Sequence, residues 1–217
     1  MSMTRIKICG LKREQDIEYA NRHLPDYVGF VFAASKRRVD VSRARILSLM
    51  LDNKIKRAGI FVNQSTDEVA QAAIQCGLDV IQIHGDEPPV YFKELRQRLK
   101  CLGCENRNIA VWKAIRVKGA DCLKQMPLYD ADAFVLDSFA EGSYGGAGKT
   151  FDWGLAAEAK KYGDIVLAGG LTESNVQNAI SVVNPFAVDI SSGVETDGGK
   201  DEDKIKRFIY SVRSSSY

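Results

Sequence analysis

The chain has 217 residues, 45% of them hydrophobic, and its 30 Lys and Arg residues nearly balance 28 Asp and Glu residues, for a net charge of +2. This balance predicts no nucleic-acid partner and no anionic membrane surface as a partner, and the longest apolar stretch, "YVGFVFAA", is far shorter than the roughly 20 residues of a membrane-spanning helix. With no linker-like composition and no leader-like apolar segment, we expect one cytoplasmic domain over residues 1–217.

Short apolar, β-branched runs recur along the chain and predict eight strands. They cover residues 5–9, 27–32, 57–62, 80–84, 109–115, 133–138, 165–169 and 187–191. Several segments between them have helical periodicity and a polar face, such as "REQDIEYANRH" after the first run and "TDEVAQAAIQCG" after the third. Strands that alternate with helices indicate βαβ units and a parallel sheet covered on both faces.

The number of units selects the fold class. Eight units in about 200 residues match the lower size range of the closed eight-stranded barrel. A doubly wound open sheet is the alternative, and its dinucleotide-binding form carries G-x-G-x-x-G after the first strand. The first turn here reads "CGLKRE" and lacks that pattern. We therefore predict an α/β protein with a closed, parallel (βα)8 TIM barrel.

The ends of the predicted strands supply candidate catalytic residues, because barrel active sites lie at the C-terminal ends of the strands. The first strand ends at Cys9, the fourth at His84 and the sixth at Asp137. A thiolate can accept a proton and a carboxylic acid can donate one, so Cys9 and Asp137 form a candidate acid–base pair. Each residue also has a structural explanation. A cysteine at a strand end is often a packed apolar side chain, and an aspartate there often caps the following helix.

Two glycine-containing loops indicate a phosphate site. "LAGGLTESN" and "DISSGVE" follow the seventh and eighth strands, where barrels commonly bind phosphate with backbone amides. Glycine after a strand is also ordinary turn chemistry, but two adjacent loops at this place favour phosphate binding. The candidate residues are Gly169, Gly170, Ser192 and Gly193, with Asp189 at the end of the eighth strand.

The five cysteines predict reduced thiols and no metal site. Their number is odd, and Cys101 and Cys104 alone have the spacing of a metal knuckle. A structural zinc site needs four ligands, and no second pair is present. We expect no metal and no cofactor, and we expect "CLGCENR" to be a surface insertion on the N-terminal side of the barrel.

Seven short motifs occur in a characteristic order. They are "KICGL", "SKRRV" after "GFVF", "QIHG", "LDS", "GGAGKTFDW", "LAGGL" and "DISSGVE". Together they resemble the phosphoribosylanthranilate isomerase family of tryptophan biosynthesis, whose members are eight-stranded barrels. The resemblance extends from residue 7 to about residue 195.

The resemblance implies an isomerase and a role for each matching residue. The family carries out a cofactor-free Amadori rearrangement of N-(5-phosphoribosyl)anthranilate to 1-(2-carboxyphenylamino)-1-deoxyribulose 5-phosphate. By resemblance, Cys9 is the general base at C2 of the sugar and Asp137 the general acid at the ring oxygen. Arg37 pairs with the anthranilate carboxylate, and the glycine loops hold the phosphate. His84 and Asp189 are predicted to bind substrate from their places at the strand ends.

Three positions depart from the family pattern. Lys36 stands where the family usually has proline, Arg38 is a second candidate for the carboxylate, and Ala147 replaces a usual threonine. Another phosphate-binding barrel enzyme of sugar-phosphate or tryptophan metabolism is the alternative function. The expected partner is a small phosphorylated sugar linked to anthranilate, and no unusual apolar surface is readable, so we expect a monomer.

Overall fold

The computed structural model describes residues 3–104, 107–138 and 151–214, in which eight parallel strands close into a barrel. Each strand pairs with the next, and the eighth pairs with the first. The strands are β1 (Arg5–Cys9), β2 (Tyr27–Val31), β3 (Lys56–Phe61), β4 (Val80–Ile83), β5 (Ala110–Val117), β6 (Ala133–Ser138), β7 (Ile165–Leu167) and β8 (Ala187–Ile190). The predicted closed parallel barrel is confirmed, and all eight predicted strands form.

Helices surround the strands in the described part of the chain. They are α1 (Glu14–His23), α2 (Val41–Met50), α3 (Thr66–Gln75), α4 (Pro89–Cys101), α5 (Trp153–Ala159), α6 (Val176–Val183) and α7 (Glu202–Ser214). A 3₁₀ helix over Ala120–Leu128 connects β5 with β6, and Pro127 inside it lacks a backbone donor. None of the helices described here is long and apolar enough to cross a membrane.

Helix α3 illustrates how the local sequence fixes an element. The hydroxyl of Ser65 accepts a hydrogen bond from the Glu68 amide, and the Glu68 carboxylate accepts one from the Ser65 amide. This reciprocal capping box satisfies two amides that the helix itself leaves without acceptors. The helix therefore begins at Thr66, and four residues separate it from the end of β3.

Strand alternation divides the core into two layers. Within β1, Ile6 and Ile8 pack outward against the helices, whereas Lys7 and Cys9 occupy the alternate positions that face the barrel axis. A separate interior cluster fills the barrel. Its members are Tyr27, Ala58, Val80, Trp112, Ala114, Ala133, Val135, Val166, Ala168 and Ala187. Side chains thus fill the barrel interior, and its open space lies at the C-terminal ends of the strands.

A small hairpin follows β8 and borders that open end. Its strands are β9 (Glu195–Thr196) and β10 (Gly199–Lys200), which pair antiparallel. Both residues between them have positive φ, 51° at Asp197 and 77° at Gly198. This Asp-Gly loop is typical of the tight turn that matches the twist of a hairpin.

The segment between α4 and β5 is only partly superficial. Cys101 is exposed at the end of α4, but Cys104 is buried in the core between strands and helices. The prediction of a surface insertion is therefore correct for Cys101 and wrong for Cys104, whose thiol packs as a small apolar group.

Candidate active site

A cavity of about 560 Å³ opens at the C-terminal ends of the strands, within the size range of small-molecule sites. Nine residues that the sequence marked as site candidates line it. These residues are Cys9, Arg37, His84, Asp137, Gly169, Gly170, Asp189, Ser192 and Gly193. The barrel brings them together because parallel strands all end at one rim.

Cys9 ends β1 with its thiol over a glycine of the neighbouring strand. A Cβ atom at Gly29 would lie only 2.7 Å from the Cys9 Sγ atom, so the missing side chain makes room for the thiol. Burial raises the pKa of Cys9, and the positive charges of Lys7 and Lys200 oppose this without reversing it. The resting side chain is therefore a neutral thiol at neutral pH.

A buried ion pair lies beside Cys9. Lys7 Nζ is 2.6 Å from Asp189 Oδ2, and the two side chains are 0% and 8% exposed. Burial raises the pKa of Asp189 and Lys7 opposes that effect. Burial also acts to lower the pKa of Lys7, but Asp189 and Cys9 outweigh it, so the pKa of Lys7 is raised. The site predictions omitted Lys7, although a lysine two residues before Cys9 in an apolar strand was a usable signal.

Gln82 fixes the tautomer of His84. The Gln82 Nε2 amide donates to His84 Nδ1 over 3.0 Å, so the imidazole carries its proton on Nε2. That Nε2 lies 3.5 Å from Asp137 Oδ2. Gln82 thus orients the Nε2–H group of His84 toward Asp137 and the cavity. Gln82 was not among the predicted site residues.

Several buried polar atoms around the cavity lack a hydrogen-bond partner in the described part of the chain. They are Gln82 Oε1, His84 Nε2, Asp137 Oδ1 and Asp189 Oδ1. Buried polar groups are nearly always satisfied in folded proteins, so a cluster of exceptions needs an explanation. A ligand with several hydroxyl groups supplies such partners.

The loop after β7 requires glycine at two consecutive positions. Gly169 and Gly170 have φ values of +79° and +69°, a region that other residues rarely adopt. A Cβ atom at Gly169 would also lie 2.8 Å from Asp137 Oδ1. Asn175 holds the loop, since its side chain donates to the Gly170 carbonyl over 2.9 Å and accepts from the Thr172 amide over 2.8 Å.

Comparison with known proteins assigns the family. The model of the N-(5'phosphoribosyl)anthranilate (PRA) isomerase family matches residues 6–211. The chain belongs to this family. A phosphoribosylanthranilate isomerase from Acetivibrio thermocellus is 49% identical to it, with 98% of this chain and 97% of the relative covered. One from Thermoanaerobacter sp. is 46% identical, with 97% and 98% covered.

Solved phosphoribosylanthranilate isomerases share the fold. The structure from Thermotoga maritima is 36% identical, with a TM-score of 0.86 and coverage of 98% of this chain and all of that chain. An isomerase in complex with reduced 1-(o-carboxyphenylamino)-1-deoxyribulose 5-phosphate is 34% identical, with a TM-score of 0.83 and the same coverage. A 3-hexulose-6-phosphate synthase from Salmonella typhimurium is 11% identical at a TM-score of 0.73, which concerns the fold alone. The predicted family is confirmed.

The two arginines of this isomerase-family chain differ in position. Arg37 is half-buried and lines the cavity, whereas Arg38 is exposed and is not part of the cavity wall. A turn holds the loop despite Lys36 in place of the usual proline, because the Arg38 amide donates to the Ser35 carbonyl over 3.2 Å. The Ser35 hydroxyl also accepts from the Arg37 amide over 3.1 Å.

One departure from the family pattern remains. Ala147 lies outside the described residues. Within the described ranges, no group of three or more His, Cys, Asp and Glu side chains is arranged to hold a metal ion.

Proposed function

We propose that this chain catalyses the Amadori rearrangement of N-(5-phosphoribosyl)anthranilate to 1-(2-carboxyphenylamino)-1-deoxyribulose 5-phosphate. One observation carries the proposal: in a member of this isomerase family, a thiol, a carboxyl group, a guanidinium group and two glycine loops line a single cavity. The substrate offers a ring oxygen, a carboxylate, a phosphate and a C2 proton that becomes acidic once the Schiff base forms.

Ring opening is assigned to Asp137. Its carboxyl group donates a proton to the ring oxygen, the C1–O bond breaks, and the nitrogen lone pair forms the C1=N bond of a protonated Schiff base. The location of Asp137 at the end of β6, beside the Nε2–H of His84, supports this assignment.

Proton abstraction is assigned to Cys9. Its thiolate removes the C2 proton, the C–H electron pair forms the C1=C2 bond, and the nitrogen becomes a neutral amine. The resulting enol-amine tautomerises to the ketone product. The unpaired Asp189 Oδ1 and His84 Nε2 atoms are suited to bind the sugar hydroxyl groups during both steps.

The two anionic ends of the substrate are assigned to separate walls. Arg37 receives the anthranilate carboxylate, since a guanidinium group is always charged and carries five N–H donors. The phosphate is assigned to the backbone amides around Gly169, Gly170, Ser192 and Gly193, where short side chains allow close approach. This places the reacting C1 and C2 atoms between Cys9 and Asp137.

We also propose that the partner is a small phosphorylated molecule and that the protein is a cytoplasmic monomer. One solved relative, at 36% identity and a TM-score of 0.83, concerns monomers made from the dimeric isomerase of Thermotoga maritima. Sedimentation equilibrium decides between one and two copies for this chain.

A turnover assay tests the activity directly. Purified protein is mixed with N-(5-phosphoribosyl)anthranilate, and loss of substrate fluorescence is followed while chromatography identifies the ketone product. The Cys9→Ala/Asp137→Asn double variant controls for uncatalysed decay. Enzyme-dependent formation of the ketone supports the proposal, and a rate equal to that of the double variant contradicts it.

A further inference from the structure

The guanidinium group of Arg37 is already bound to a carboxylate of this chain. Its Nε donates to Glu195 Oε1 over 2.7 Å and its Nη2 donates to Glu195 Oε2 over 2.8 Å. These two parallel bonds occupy one edge of the planar group. The structure describes no acceptor for the Nη1 atom among residues 3–104, 107–138 and 151–214.

Glu195 is itself held in place by two lysines, one in the hairpin that follows β8 and one in α7. Lys200 Nζ donates to Glu195 Oε1 over 2.8 Å, and Lys204 Nζ donates to the Glu195 carbonyl over 2.7 Å. Burial acts to raise the pKa of Glu195, but hydrogen bonds from Arg37 and Lys200 prevail and lower it to about 2. Glu195 is therefore an ionised carboxylate throughout the neutral range.

The same network extends to the ends of β8 and β1. Lys200 Nζ also donates to the Ser191 carbonyl over 3.0 Å, and the Ser191 hydroxyl donates to the Cys9 carbonyl over 2.9 Å. Gly10 follows Cys9, and the methylene groups of Arg37 cross so close to it that a Cβ atom there would overlap them. Arg37 is thus confined between Gly10 and Glu195.

We propose that Glu195 is a positioning residue for Arg37, which holds the Nε–Nη2 edge and presents Nη1 to the anthranilate carboxylate. This inference rests on the proposed function, which assigns the carboxylate to Arg37. A free arginine side chain loses conformational entropy when it binds a ligand. If a carboxylate of the same chain already fixes the side chain, ligand binding no longer carries that entropic cost. Arg37 and Lys200 together outnumber the single charge of Glu195, so the wall stays attractive to an anion.

The alternative role of Glu195 is competition with the substrate carboxylate for Arg37. The two roles predict opposite changes in ligand preference. A positioning carboxylate increases the preference for a ligand that carries a carboxylate, whereas a competing one reduces it. A purely structural role changes the affinity for all ligands equally.

The test compares two probes that differ only in the carboxylate. Dissociation constants are measured for 1-(2-carboxyphenylamino)-1-deoxyribulose 5-phosphate and for its phenylamino analogue without the carboxylate. In Glu195→Gln the side-chain NH2 group faces one of the two guanidinium N–H donors and cannot accept its hydrogen bond. We therefore expect the preference for the carboxylate probe to fall about tenfold or more. Arg37→Ala lowers the same preference, and Arg37→Ala/Glu195→Gln lowers it no further than Arg37→Ala alone.

Two further variants separate positioning from damage to the fold. Glu195→Gln/Lys200→Met removes the buried cation together with its partner, and it also loses the preference if Glu195 acts through Arg37. Glu173→Gln is the matched control, because Glu173 accepts a similar bond from Arg207 over 2.8 Å on the exposed surface. We expect this control to keep the full preference.

The outcomes distinguish the inference from the proposed function. An unchanged or increased preference in both Glu195 variants overturns the inference while Arg37→Ala still supports the carboxylate site. An unchanged preference in Arg37→Ala shows that Arg37 does not bind the anthranilate carboxylate. That result overturns the inference and the assignment of the carboxylate to Arg37 in the proposed function.

Discussion

Lys7 donates a hydrogen bond to Asp189 across the seam where β8 meets β1, and the two residues are direct partners in the strand register. The pair joins strands from opposite ends of the sequence and supports the floor of the cavity next to Cys9. Because both groups are buried, each charge depends on the other for its stability.

The first prediction concerns this pair. Lys7→Met leaves Asp189 as an uncompensated buried charge, so we expect a loss of about 3–5 kcal/mol in the free energy of unfolding at pH 7. Lys7→Met/Asp189→Asn removes both charges, and we expect it to recover much of that loss. Urea unfolding of the three proteins is the measurement. A double variant as unstable as Lys7→Met contradicts the prediction.

The second prediction concerns pH. Burial raises the pKa of Cys9, so the thiolate fraction grows about tenfold for each pH unit below that pKa. The rate at which iodoacetamide alkylates Cys9 therefore rises with pH from 7 to 9 and reaches no plateau in that interval, because only the thiolate reacts. Mass spectrometry of the Cys9 peptide follows this reaction separately from the other thiols, and the rate does not require a protonated Asp137. A plateau below pH 8 contradicts a raised pKa for Cys9.

The third prediction concerns the thiol itself. Cys9→Ala removes the proposed base, and we expect kcat to fall by about 10²–10⁴-fold, the usual contribution of general base catalysis. Product affinity and the unfolding transition change little. Cys101→Ala is the matched control, because that thiol is exposed at the end of α4, far from the cavity wall. Near-normal kcat in Cys9→Ala makes Cys9 a packing residue.

The fourth prediction concerns the acid. Asp137→Asn keeps the size of the side chain but cannot deliver a proton to the ring oxygen. We expect the product to bind about as tightly as in the unmodified protein, while kcat falls by at least about 10²-fold. Single-turnover measurements separate binding from chemistry. An active Asn variant moves ring opening to another group or to solvent.

The sequence was sufficient for the fold and for the positions of the site candidates. Continuous apolar strands alternating with helices identify a parallel barrel, and a barrel has one rim at which the strand ends meet. Residues such as Cys9 and Asp137, more than a hundred positions apart in the chain, could therefore be assigned to the same cavity before any coordinates were known. The assignment needed only the end of each strand.

The partners of these residues could not be predicted in the same way. Lys7 and Asp189 are 182 residues apart, and Arg37 and Glu195 are 158 residues apart. Their pairing depends on strand register and on the conformation of a hairpin, which no local pattern encodes. Lys and Glu side chains are usually solvent-exposed. The apolar strand around Lys7 was the one signal that it is buried, and no such signal distinguished Glu195 from the other acidic residues.

The fifth prediction concerns the phosphate loop. Gly170→Glu and Gly170→Gln carry the same backbone strain, because φ is +69° at this position, and they differ only in charge. If the phosphate lies on this loop, the Glu variant binds the product about tenfold or more weakly than the Gln variant, since like charges at close range repel. A product analogue without the phosphate binds both variants equally. Isothermal titration of both ligands measures the two ratios. Each ratio divides the dissociation constant of the Glu variant by that of the Gln variant. If the ratio is the same for both ligands, the phosphate lies elsewhere, because the added charge then does not act on the phosphate.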